Sequence, residues 1–175
     1  MFGEKGLIQV YTGDGKGKTT AALGLALRAC GHGARVAIVQ FMKGWAGYGE
    51  LTSLKRLLNV TLVRTGRDKC FSRDDVTDKD FAEAARGLKA AEEFISSGEY
   101  DLVILDEVNV AANFGLLAVA DVVEVLKLKS EKTEIVLTGR NAPVQFLEKA
   151  DLITEMREVR HPYRKGISAR KGVEY

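Results

Sequence analysis

The sequence predicts an α/β protein of three layers with a mostly parallel central sheet, and three observations carry that prediction. Short β-branched runs alternate with helical patterns along the chain, the rhythm of βα units. A glycine-rich turn stands directly between the first such run and the first helical pattern. The run 102–105 is continuously apolar and short, as a strand covered on both faces must be.

The elements follow in order. Residues 7–12 read as the first strand, and residues 18–30, rich in Ala and Leu, as the first helix. Gly31-His32-Gly33 then supplies residues suited to a left-handed helix end. Residues 35–40 and 60–64 read as the second and third strands. Thr77-Asp78-Lys79-Asp80 opens a long helix whose Phe81, Ala84, Ala85, Leu88, Ala91 and Ile95 share one face at helical spacing. Residues 102–105, 135–138 and 152–156 complete the strands. Ligands of such sheets sit beyond the carboxyl ends of the strands, so the residues just after each strand are the candidates for function.

At 175 residues, with two prolines and no Ser/Gly-rich linker, the chain is expected to be one domain over 1–175. Hydrophobic residues at 46% and charged residues at 29% give the balance of a globular chain rather than a disordered one. The formal net charge is only +2, with basic residues scattered among acids, which argues against a nucleic-acid partner. No stretch approaches a membrane span and the N-terminus has no apolar signal core, so a cytoplasmic protein is expected. Cys30 and Cys70 lie far apart and only His32 and His161 could join them, which makes free thiols the expectation rather than a zinc site.

The chemistry begins at Thr12-Gly13-Asp14-Gly15-Lys16-Gly17-Lys18-Thr19-Thr20. This is the phosphate-loop pattern G-x-x-x-x-G-K-[ST] with Thr12 in place of the leading glycine. Gly13, Gly15 and Gly17 allow successive N–H groups to turn inward on an anion, and the following helix adds the positive end of its dipole. Lys18 offers a point charge to the phosphates, and the Thr19 hydroxyl a ligand to Mg²⁺. The Asp14 side chain is expected to point away from the bound anion. The apolar run ending in Asp106-Glu107 is the complementary acidic element, which sets a carboxylate beside the metal. These motifs by themselves stop at a nucleotide triphosphate with Mg²⁺.

Five spaced segments go further. Gly13-Asp14-Gly15-Lys16-Gly17-Lys18-Thr19-Thr20-Ala21-Ala22 and Val39-Gln40-Phe41-Met42-Lys43-Gly44 resemble two signatures of the P-loop ATP:corrinoid adenosyltransferases. Leu137-Thr138-Gly139-Arg140-Asn141-Ala142-Pro143, the segment 150–156 and the tail 161–175 resemble the same family. The resemblance implies a RecA-like P-loop NTPase fold, a homodimer, and ATP and a corrinoid as substrates. It implies that a corrinoid reduced to Co(I), supplied by a flavin-type reductase, attacks the 5′ carbon of ATP and displaces triphosphate. Lys16, Lys18, the loop amides and Mg²⁺ would then stabilise the departing charge, with Thr19, Asp106 and Glu107 holding the metal. Gln40, Lys43 and Arg140 stand after neighbouring strands, where they could reach the nucleotide or the corrinoid.

Two departures from the family pattern stand out. Relatives carry an aromatic-rich stretch where this chain has Gly66-Arg67-Asp68-Lys69-Cys70-Phe71, which leaves Phe71 or Trp45 as candidates to pack below the corrin ring. Some relatives also have an N-terminal extension over the site, whereas this chain starts close to its first strand, so a more open site is expected. Two other functions fit the motifs alone: a phosphotransferase or ATPase in which Glu107 orients a nucleophilic oxygen, and a non-catalytic nucleotide switch.

Overall fold

A computed structural model describes residues 5–68 and 73–175. Six parallel strands form one sheet in the order β3-β2-β4-β5-β1-β6. They are β1 Ile8–Thr12, β2 Val36–Gln40, β3 Val60–Arg64, β4 Leu102–Asp106, β5 Glu134–Thr138 and β6 Leu152–Glu155. The helices are α1 Lys18–Gly31, α2 Glu50–Leu54, α3 Asp78–Ser96, α4 Val108–Asn113, α5 Val119–Lys127 and α6 Val144–Lys149. Short 3₁₀ turns at Arg73–Asp75 and Pro162–Lys165 complete the structure.

Alternation along the strands builds the three layers. Val36, Ile38, Leu102, Ile104 and Val136 point to one face, where Ala22, Ala26 and Ala29 of α1 cover them. Ala37, Val39, Val103, Leu105, Ile135 and Leu137 point to the other, under residues of α3, α4, α5 and α6. Small alanines let α1 lie close to the sheet, which brings its N-terminus, and the loop before it, to the strand ends. The expected mostly parallel, three-layer α/β architecture is present, with every strand pair parallel.

The expected face of α3 needs correcting. Ala84, Ala91 and Ile95 are buried as their spacing predicts, but Phe81 is 46% exposed and Ala85 is exposed. Asp80 and Gly87 are buried instead. The Asp80 carboxylate accepts hydrogen bonds from the Thr77 N–H (2.9 Å) and hydroxyl (2.7 Å), and pairs with the Arg67 guanidinium at 2.8 Å. Gly87 lets the Phe41 ring approach, since a Cβ there would come within 2.6 Å of it. A capping box and a ring contact thus outrank hydrophobic periodicity in setting the rotation of this helix.

Candidate active site

The strand ends of β2, β4, β5 and β1 lie side by side, and each delivers part of the site. β1 runs into the phosphate loop. Gly13 and Gly17 take φ of 90° and 119°, in the left-handed region that favours glycine. Gly15 is required for another reason: its N–H donates to the Met156 carbonyl at 2.6 Å, and a Cβ would meet that oxygen at the same short distance. Gly17 then caps α1. Thr12, standing where the motif has glycine, accepts the Ala142 N–H at 3.3 Å and so fastens the loop after β5 to the phosphate loop.

Lys18 is buried, and its ammonium donates to the Gly13 and Gly15 carbonyls at 2.6 and 2.7 Å. Burial lowers its pKa below the ordinary lysine value, with Glu107 opposing that shift and Arg140 adding to it. A partly desolvated ammonium held only by neutral carbonyls is primed to gain from an arriving anion.

Register places Gln40 beside Asp106. Asp106 is the most heavily bonded carboxylate of the site. One oxygen accepts from the Thr19 hydroxyl (2.8 Å) and the Thr138 hydroxyl (2.6 Å). The other accepts from the Lys43 ammonium at 2.8 Å and the Gln40 amide at 3.3 Å. Lys43 also donates to Thr19 at 3.2 Å. Burial by itself would lower the Lys43 pKa, but Asp106 and, more weakly, Glu107 hold it above the ordinary lysine value.

Glu107 follows with φ of 63° and its N–H on the Thr138 hydroxyl at 3.0 Å. Its carboxyl pKa is raised by burial and by Asp106, against the pull of Lys43, Lys18 and Arg140. Met42, Glu107 and Asn141 are the non-glycine residues of positive φ among those described, and each sits just past the end of β2, β4 or β5. Strain of this kind collects where side chains must be aimed rather than merely packed.

A cavity of about 920 Å³ opens over these strand ends, at the upper end of the usual size for a ligand site. Gly15, Lys16, Gly17, Lys18, Thr19, Thr20, Lys43, Glu107 and Arg140 line it, as their positions in the sequence suggest. Gly13, Asp14, Gln40, Asp106 and Trp45 do not form its wall. Gln40 and Asp106 are fully buried, and the Gln40 amide donates to the Asp106 carboxylate. Asp14 is exposed, and its carbonyl faces Arg140 at 3.5 Å. Trp45 lies beside the cavity, edge-to-face with Tyr48 and Tyr175 at centroid distances of 5.1 and 5.2 Å. Phe71 and Cys70 fall outside the described residues, while Cys30 is a free thiol whose pKa burial raises.

Sequence reasoning did not assign a role to Tyr48, Ser53, Phe114, Asn141, His161 or residues 172–175, all of which line the cavity. Asn141 and His161 stand inside segments that the family resemblance drew on, and that was the available signal. Tyr48 and Ser53 lie in and after a loop with no motif, where nothing in the pattern marks them.

The donor set is one that suits a cation. The Lys43 ammonium already lies against both Thr19 and Asp106, and the buried Gln40 side-chain oxygen has no hydrogen-bond partner. Among the described residues no group of three or more carboxylate, imidazole or thiol side chains could hold a metal unaided. No described helix is long and apolar enough to cross a membrane.

Known proteins resemble this chain in fold and in sequence. The flagellar accessory protein FlaH from Methanocaldococcus jannaschii superposes with a TM-score of 0.60 at 16% identity, over 86% of this chain and 71% of that one, which shows a shared fold. The corrinoid adenosyltransferase of a Sinorhizobium species is 41% identical over 98% of this chain and 81% of its own length. Those of Pseudomonas aeruginosa and Escherichia coli K12 are 36% and 35% identical over 98% of this chain, and over 85% and 87% of their own lengths. Residues 4–175 match the profile of the ATP:corrinoid adenosyltransferase family BtuR/CobO/CobP, and the chain belongs to that family of transferases.

Proposed function

We propose that the protein transfers the 5′-deoxyadenosyl group of ATP to the Co(I) centre of a reduced corrinoid and releases triphosphate, in making or salvaging adenosylcobalamin. The observation that carries this reading is the cavity, where the phosphate loop and the strand-end residues Lys43, Glu107 and Arg140 face one space large enough for a nucleotide. The cobalt lone pair forms the Co–C5′ bond as the C5′–O bond breaks, and the bonding pair leaves with the triphosphate. Attack falls on carbon, so the protein's task is to position C5′ and to stabilise the growing charge on the leaving group.

Lys18 turns from its loop carbonyls to the phosphates, and Lys16 and the loop amides supply further donors. Gly13 and Asp14 shape the loop, Thr20 lies in the first turn of the helix behind it, and Arg140 lines the cavity. Mg²⁺ held by Thr19, Asp106 and Glu107 would neutralise part of the triphosphate charge. Trp45, through its contact with Tyr48 and Tyr175, is the described aromatic candidate for the corrinoid side; Phe71 is the other candidate. A homodimer, a flavin-type reductase supplying Co(I) and a cytoplasmic location complete the proposal, supported by the family alone.

The phosphate product tests it. With ATP and chemically reduced corrinoid under anaerobic conditions, triphosphate should accumulate. Release of orthophosphate would instead favour a phosphotransferase or ATPase in which Glu107 orients an oxygen nucleophile.

A further inference from the structure

Residues 170–175 are folded against the site by two different kinds of contact. At one end, the Lys16 ammonium of the phosphate loop donates to the Val173 carbonyl at 2.8 Å and lies 3.6 Å from the Glu174 carboxylate. At the other, the Tyr175 ring meets Trp45 edge-on. Trp45 in turn meets Tyr48, over whose ring the Lys43 ammonium lies at 5.4 Å. Gly172, Val173, Glu174 and Tyr175 all line the nucleotide cavity. The segment therefore links the phosphate loop to the loop after β2.

We propose that residues 170–175 form a positioning strap that occupies Lys16 in the free protein and yields it to the triphosphate, loosening Tyr175 from Trp45 as it does so. The proposal rests on the phosphate-loop reading above and goes beyond it by assigning the strap. Three features make the exchange inexpensive. The Lys16–Glu174 pair is open to water, with side chains 46% and 20% exposed, so it is weak. Glu174 does not lose its counter-charge when Lys16 leaves. Arg170 binds its carboxylate through the backbone N–H (2.7 Å), Nη2 (3.0 Å) and Nε (3.2 Å), and these bonds hold the carboxyl at a pKa of about 2. Val173 is half-exposed, so water can replace the ammonium at its carbonyl. A triphosphate offers Lys16 several negative oxygens in place of one carboxylate that is already neutralised. Until an anion binds the loop, the Val173 carbonyl and the Glu174 carboxylate occupy Lys16.

Trp45 is the chain's single tryptophan, and it reports directly on the strap. Inorganic triphosphate with Mg²⁺ should change Trp45 emission along the same saturation curve as the heat measured by calorimetry, and adenosine, which has no phosphate, should not. Tyr175→Ala should start from the altered emission and respond little. Glu174→Gln, which keeps the side-chain shape, should lower the half-saturating triphosphate concentration by up to about fivefold, the reach of an exposed ion pair. Binding seen by calorimetry without a change in emission, or an equal change in Tyr175→Ala, would show a fixed wall and overturn the strap. Absence of any calorimetric binding would remove the phosphate-loop reading and the strap with it.

Discussion

Replacing Lys43 by methionine tests the electrostatic centre of the site. The change removes the ammonium that faces Asp106 and leaves most of the stem's volume in place, so little packing is lost. Lys43 and Asp106 are 11% and 1% exposed at their side chains, which puts the pair in the buried class. Breaking a buried pair from one side costs about 3–5 kcal/mol, because the remaining charge stays desolvated. Thr19, Thr138 and Gln40 still bond Asp106, so the low end, about 3 kcal/mol, is expected here. With a urea slope of about 2 kcal/mol/M, the midpoint should fall by about 1.5 M. Removing both charges in Lys43→Met with Asp106→Asn should recover part of the loss. The pH dependence follows from the direction of the shift. The folded Lys43 pKa lies above 10.5, so its stabilisation is complete below 10.5 and disappears only as pH rises through the folded value. A loss under about 1 kcal/mol, or a double variant weaker than the single one, would refute the buried-pair assignment.

Three other outcomes follow from the same geometry. Lys18→Ala should cut kcat/KM for ATP by about a hundredfold or more while leaving the unfolding midpoint nearly unchanged, since it removes an anion contact and not core packing; parental turnover would dismiss the loop assignment. Thr19→Ala and Asp106→Asn should each raise the Mg²⁺ concentration for half-maximal activity by at least about tenfold, and an unchanged requirement in both would take them out of the metal site. Asp80→Asn should cost about 1.5–3 kcal/mol at pH 7, from lost hydrogen bonds to a charged carboxylate. Burial pushes the Asp80 pKa up, but the Thr77 bonds and Arg67 outweigh it and set it below 3.8. That stability is present above 3.8 and lost as pH falls through the folded value, so the parent and the variant should converge in acid.

The strands and the long helices were legible because a buried parallel sheet needs continuous apolar runs, and these stand out at 102–105 and 135–138. The helices α2, α4, α5 and α6 were not. Val119, Val122, Val123 and Val125 of α5 are β-branched and favour a strand in isolation, yet their packing against α3 and α6 decides the outcome. In the site, the glycine loop and the acidic strand end were visible because each stands alone as a motif. Lys43 was visible as a residue after a strand and within a segment resembling a family signature; its place beside Thr19 and Asp106 depends on strands β2 and β4 pairing with α1 packed above them, contacts that no local pattern contains. The same holds for residues 172–175, which reach Lys16 across 157 positions of sequence.

Formation of the cobalt–carbon bond is the most direct test of the central claim. The purified protein is mixed anaerobically with ATP, Mg²⁺ and a chemically reduced corrinoid, and the corrinoid is followed by absorbance and identified by mass spectrometry. The account predicts an adenosylated corrinoid formed one-for-one with triphosphate, and its loss in Lys18→Ala. An unmodified corrinoid alongside consumed ATP would contradict it.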